Sequence, residues 1–157
     1  MLTLTIPGVG ERRFTHLLLD VNGTVACDGT LLDGVGERLE QLRAVLAIEL
    51  LSADTFGRLD TVARQLRVPG HRLVPGVPEA TSKRLRVEAL GAERVIAIGN
   101  GANDAEMLRA AILGIAVLGP EGLASAALAA ADIVTLSIHD ALDLLRYPQR
   151  LVATLRA

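Results

Sequence analysis

The segment HLLLDV (16–21), an unbroken apolar run that stops on an aspartate, limits what this chain can fold into more than any other feature. A strand with one face in water alternates apolar and polar residues, so a run without alternation must be covered on both faces. Similar runs recur at IELLSA (48–53), RVIAIGNG (94–101), LGIAVLG (113–119) and DIVTLS (132–137), with a shorter one at HRLVPG (71–76). Between them lie segments of helical character: GVGERLEQLRAVLA (34–47), FGRLDTVARQLR (56–67), PEATSKRLRVEALG (78–91), NDAEMLRAAI (103–112), PEGLASAALAAA (120–131) and IHDALDLLRY (138–147). In the first of these, Val35, Leu39, Leu42 and Leu46 recur at helical spacing. Strands alternating with helices predict an α/β fold with a parallel sheet between two helical layers. LTLTIP and RRFTHL predict a hairpin at the sheet edge, turning around Pro7–Gly10. No repeat or linker interrupts the pattern, which predicts a single domain over residues 1–157.

Composition narrows the functional classes. Hydrophobic residues make up 50% of the chain and aromatics only 2%, so the core must be aliphatic. A net charge of -2 without a basic patch or stacking aromatics argues against a nucleic-acid surface. No run approaches the ~18 apolar residues of a membrane span. The opening MLTLTIPGVGERRF lacks the pattern of a secretory signal, so a cytoplasmic location without membrane attachment is expected. Cys27 has no partner cysteine. Of the 16 basic residues 15 are Arg, and the one Lys is Lys83. Chance would leave one ammonium side chain, and so would a site that needs a compact point charge.

In an open parallel sheet, ligands bind beyond the carboxyl ends of the strands. The residues there are Asp20-Val21-Asn22-Gly23-Thr24, Ser52-Ala53-Asp54-Thr55, and Gly99-Asn100-Gly101-Ala102-Asn103-Asp104, with Lys83 on a helix between them. Any one of these is ordinary turn or capping chemistry. Their joint order is not.

DVNGT resembles the first motif of haloacid-dehalogenase-like phosphotransferases, usually D-x-D-G-T. LLSADT resembles the second motif, Lys83 falls where the third supplies its lysine, and IAIGNGANDAEML resembles the fourth, usually G-D-G-x-N-D. SADT and the GNGAND run are especially similar to the phosphorylation domain of P-type ATPases, and the chain resembles the soluble P-type-ATPase-like members of this superfamily. The resemblance implies a three-layer α/β/α Rossmann-like fold and a set of roles. Asp20 is the nucleophile that forms an aspartyl-phosphate, Ser52 donates a hydrogen bond to the phosphoryl group, and Lys83 neutralises its charge. Amides of the Val21–Thr24 turn cradle phosphate oxygens, so Gly23, Thr24, Ala53 and Asn103 border the substrate. Mg²⁺ is held by Asp20, the Asn22 carbonyl oxygen, Asn100 and Asp104. Asp54 either orients the first-motif loop or caps the following helix.

Two departures qualify these roles. Asn22 replaces the aspartate that serves most such phosphatases as general acid and base, which predicts slow turnover or phosphoryl storage. Asn100 replaces a charged metal ligand, which predicts weaker Mg²⁺ binding. Residues 25–51 and 53–82 are filled by the sheet's own elements, leaving no room for a cap domain. An open site, covered if at all by a homo-oligomer or a protein partner, is expected. The substrate expected is a small phosphorylated compound or a phosphoprotein. The alternative is a catalytically attenuated binding or regulatory module.

Overall fold

The computed structural model describes residues 1–54 and 57–157. Thr55, read as part of a strand end, and Phe56, read as the start of a helix, lie outside the described residues. The chain opens with an antiparallel hairpin, β1 (Leu2–Ile6) and β2 (Gly10–Phe14). It continues through β3 (His16–Asp20), a second small hairpin of β4 (Ala26–Cys27) and β5 (Thr30–Leu31), α1 (Val35–Leu42), β6 (Ala47–Ser52), α2 (Leu59–Leu66) and β7 (Gly70–Arg72). Then follow α3 (Glu79–Leu90), β8 (Val95–Gly99), α4 (Ala105–Ala110), β9 (Leu113–Val117), α5 (Ser125–Ala130), β10 (Ile133–Thr135), α6 (Ile138–Arg146) and α7 (Pro148–Leu155).

Six strands form one parallel sheet in the order β10-β9-β8-β3-β6-β7. Strand parity explains the three layers. Leu17 and Leu19 of β3, Leu50 of β6 and Ile96 and Ile98 of β8 face one way, into a cluster with α1, α2, α6 and Leu151 of α7. Leu18, Leu51, Val95 and Ala97 face the other way, against Val87 of α3, Met107 and Leu108 of α4 and Ala127 of α5. All of these sheet residues are essentially inaccessible to water. Each fully buried aliphatic side chain contributes about 1.5–3 kcal/mol, so the aromatic-poor composition is no handicap. Asp20 shares the parity of Leu18 and therefore emerges on the α3–α4 side.

The predicted architecture is the observed one, with four differences of detail. The β1–β2 hairpin is not an edge of the main sheet: its strands pair with each other, and both sides of β3 are taken by β6 and β8. Leu2, Leu4, Ile6 and Phe14 instead bury against the α1–α6 face. The helix expected over 120–131 begins only at Ser125, because residues 119–122 close a tight turn in which Gly122 has φ +89°. Helix α7 was not foreseen; Pro148 at its first position is compatible with starting a new helix straight after α6. The β4–β5 hairpin was not foreseen either. Asp28 and Gly29 both have positive φ, 49° and 74°, as an Asp-Gly turn of the tightest kind requires.

No cap-sized unit is inserted between β3 and β6 or between β6 and β8 among the described residues. Nor, among them, is any helix long and apolar enough to cross a membrane.

Candidate active site

Connections from β3 run to β6 on one side, and the chain returns to β8 on the other. This is the reversal point at which an open α/β sheet leaves a crevice between strand ends. Asp20 ends β3, and Asn100 to Asp104 follow β8. Lys83 comes from the middle of α3, the helix packed over that side.

These residues meet in a buried ion triad. Lys83 Nζ donates to Asp20 Oδ1 at 2.6 Å and to Asp104 Oδ1 at 2.5 Å. Lys83 is 1% exposed and Asp104 0%, so neither charge is solvated. The other oxygen of Asp104 accepts the backbone N–H groups of Asn100 (2.9 Å) and Gly101 (2.8 Å). Both Asp104 oxygens are therefore engaged, and the residue lies beneath the cleft. Asp104, expected as a metal ligand, anchors Lys83 and the loop after β8. Gly99 has to be glycine, since a Cβ there would run into the Asp104 carboxylate.

The turn after Asp20 is tied in the same way. The buried Thr24 hydroxyl lies 3.2 Å from Asp20 Oδ2 and 3.1 Å from Asn100 Oδ1. Gly23 has φ +79°, and a Cβ on it would strike the Asn100 carboxamide. The Gly23 N–H donates to the Ala26 carbonyl at 2.7 Å, and the Thr24 N–H to that of Val21 at 3.3 Å. Two of the amides expected to cradle phosphate are thus engaged within the turn, because the chain doubles back at once into the β4–β5 hairpin.

Ser52 is 3% exposed, and its Oγ accepts the Asp54 N–H at 2.9 Å, which leaves the hydroxyl hydrogen to donate. Asp54 turns away from the crevice: Oδ1 takes the Leu59 N–H at 2.8 Å and Oδ2 pairs with Arg72 at 2.9 Å. Of its two expected roles, that of holding the start of α2 matches this geometry. The Leu59 amide, ahead of Arg72, keeps its pKa below the ordinary carboxylate value.

A cleft of about 250 Å³ opens over these groups, lined by Asp20, Asn22, Ser52, Ala53, Lys83, Asn100 and Asn103 among others. It brings the residues expected at the site together, with Thr24 and Asp104 buried below. Two lining residues escaped the sequence reading, Glu79 and Glu121. Asn103 Nδ2 donates to Glu79 Oε2 at 2.6 Å, so its amide is already partnered. Glu121 Oε1 accepts the Asp28 N–H at 3.0 Å, joining the second hairpin to the cleft.

Two carboxylates share one ammonium here. Burial first, and the Asp104 charge second, push the Asp20 carboxyl up from 3.8 to about 7 against the pull of Lys83. Burial opposes the charge on Lys83 as well, yet the two flanking carboxylates hold its pKa above the ordinary lysine value. Asp20 binds its proton more tightly folded than unfolded. Between about pH 4 and about pH 7 the folded state thus holds the extra proton, and stability falls as pH rises through that window. Urea unfolding of metal-free protein is expected to show this fall, and Asp20→Asn to flatten it. An equally steep fall in the variant would contradict the assignment.

A divalent cation answers the same imbalance. The Asp20 carboxylate and the Asn22 carbonyl offer it oxygen donors, which suits a hard ion such as Mg²⁺. They carry only one formal charge between them.

A sequence model of the family described as haloacid dehalogenase-like hydrolase matches residues 2–111. A protein of Methanocaldococcus jannaschii is 52% identical over 64 residues, which cover 41% of this chain and 69% of its own length. Among solved structures, the 3-deoxy-D-manno-octulosonate 8-phosphate phosphatase of Moraxella catarrhalis, in complex with magnesium, phosphate and the sugar acid, superposes with a TM-score of 0.66. It is 18% identical, over 91% of this chain and 94% of that one. The cobalt-bound enzyme of Haemophilus influenzae gives 0.69 at 17% identity, over 92% and 94%. A phosphoserine phosphatase carrying a phospho-aspartyl intermediate analogue gives 0.66 at 15%, over 87% and 99%.

Proposed function

The chain belongs to the haloacid dehalogenase-like hydrolases, and from that premise we propose that it is a slow, divalent-metal-dependent phosphohydrolase or phosphotransferase working through an aspartyl-phosphate on Asp20. The observation that carries this reading is the buried Asp20–Lys83–Asp104 triad at the mouth of the sheet's crevice. A structural ion pair would be cheaper to replace with apolar side chains, so a buried triad at a cleft argues for use.

In the proposed reaction an Asp20 oxygen attacks phosphorus, the bond from phosphorus to the leaving oxygen breaks, and that oxygen departs with the electron pair. Lys83 faces the growing charge with a fixed ammonium, and Ser52 offers its hydroxyl hydrogen to a phosphoryl oxygen. Mg²⁺, which Asp20 and the Asn22 carbonyl would hold, would supply further neutralisation of the phosphoryl oxygens. Water then attacks the aspartyl-phosphate and releases phosphate. No carboxyl group stands at position 22 to give a proton to the leaving group or take one from that water. P-type ATPases, which the SADT and GNGAND segments resemble, also lack an aspartate at this position, and a long-lived aspartyl-phosphate suits them. The open cleft supports either a small phosphorylated compound or a phosphorylated side chain on a protein as substrate.

Restoring the missing group tests the reading. Asn22→Asp is expected to raise steady-state turnover of a phosphomonoester by about 10²–10⁴, measured as phosphate release with Mg²⁺. No increase, with the variant folded and Asp20 intact, would favour a binding or regulatory module instead.

A further inference from the structure

Asn100 stands where the family pattern has a charged metal ligand, yet its side chain is committed at both ends. Nδ2 donates to the Gly122 carbonyl at 3.0 Å, and Oδ1 faces the Thr24 hydroxyl at 3.1 Å. The orientation is fixed by chemistry, because a carbonyl can only accept. The backbone carbonyl of Asn100 also accepts the Ala124 N–H, at 2.9 Å. Residues 119–124 are thus stapled to position 100 at two points. The loop also sits on the Asp20 turn: a Cβ at Gly119 would overlap the Gly23 carbonyl oxygen. Inside the loop, Gly122 N–H closes on the Gly119 carbonyl at 3.0 Å, and Glu121 is carried to the cleft wall. An aspartate at 100 has no N–H to offer Gly122 and would set a negative charge against its carbonyl oxygen.

We propose that Asn100 is a positioning residue: its amide latches the Gly119–Ala124 loop to the Asp20 turn and so holds Glu121 at the cleft, where Glu121 supplies toward a divalent cation the negative charge that Asn100 lacks. The exchange at position 100 then trades a charged ligand for a hydrogen-bond donor, and the lost charge returns from the loop that the donor holds. The cation in this inference rests on the function proposed above; the latch does not.

Hydrogen–deuterium exchange of the metal-free protein reads the latch without any phosphoryl chemistry. In Asn100→Asp, which keeps size and shape, the Gly122 and Ala124 amides are expected to exchange about tenfold faster than in the unaltered protein. Unchanged exchange overturns the latch. Mg²⁺ titration calorimetry reads Glu121. Glu121→Gln is expected to weaken Mg²⁺ binding about tenfold in the unaltered chain and by less than about twofold in Asn100→Ala, where the loop is no longer held. Equal effects in both backgrounds, or no effect of Glu121→Gln, overturn its part. Should Asn100→Ala fold poorly, the exchange in Asn100→Asp still decides the latch. Absence of phosphoryl transfer would defeat the function proposed above and leave the exchange result standing.

Discussion

Lys83→Met is expected to destabilise the protein by about 3–5 kcal/mol at neutral pH, the usual result of removing one partner from a buried ion cluster. The side chain fits by volume, so the effect would come from charge. Without the ammonium, the Asp20 and Asp104 carboxylates face each other where, among the described residues, the other polar partners are a threonine hydroxyl and a few backbone amides. Lys83 holds the Asp20 pKa down against burial and the Asp104 charge, so without it the pair keeps a proton to higher pH, and the deficit should grow as pH rises above about 7. Urea midpoints at two pH values, with the slope held constant, measure this. Lys83→Met,Asp104→Asn should recover much of the loss, because the repulsion goes with the second charge. A deficit that does not depend on pH would assign Lys83 a packing role instead.

Asp20→Asn is expected to remove Mg²⁺-dependent phosphoester cleavage altogether, a loss of at least about 10³ where the nucleophile itself is deleted. Unlike Lys83→Met it should not harm folding. Lys83 keeps Asp104 at 2.5 Å, and the burial of a charge and the like-charge repulsion that together raise the Asp20 pKa both disappear. Loss of activity with equal or higher stability is the mark of a group held in place for function at a cost in stability. The pairing of the two variants is informative. One should lose both activity and stability, the other activity alone.

The strand ends were legible because unbroken apolar runs define buried parallel strands, and a fold of that kind sends its reactive residues to the carboxyl ends. Asp20, Ser52, Lys83 and Asn100 could therefore be brought together from spacing and residue type. What spacing could not give was orientation. Spacing places Asp104 at the site as an expected metal ligand. That both its oxygens are spent, on Lys83 and on two backbone amides, depends on the tight 3-10 turn over Ala102–Asp104. Glu79 reaches the cleft through the rotation of α3, and Glu121 through a glycine turn that replaces the first turn of an expected helix. Neither follows from a local pattern. The β4–β5 hairpin carried a readable sign, Asp28-Gly29, but two-residue strands are too short to show alternation. The β1–β2 hairpin was readable as a hairpin. Its place on the sheet face was not, since both neighbours of β3 are strands from far along the chain.

On the function proposed above, Asp20 takes the phosphoryl group and gives it up slowly. Mixing the protein with p-nitrophenyl phosphate and Mg²⁺, quenching in acid at intervals, and mapping the peptide that carries Asp20 by mass tests it most directly. This leaving group needs no proton, so Asn22 should not hold back the first step. A burst of p-nitrophenolate of about one equivalent per chain is expected, with phosphate on Asp20 at the same times, slow release thereafter, and neither burst nor adduct in Asp20→Asn. Release of p-nitrophenolate without an Asp20 adduct, or an adduct elsewhere, would contradict it.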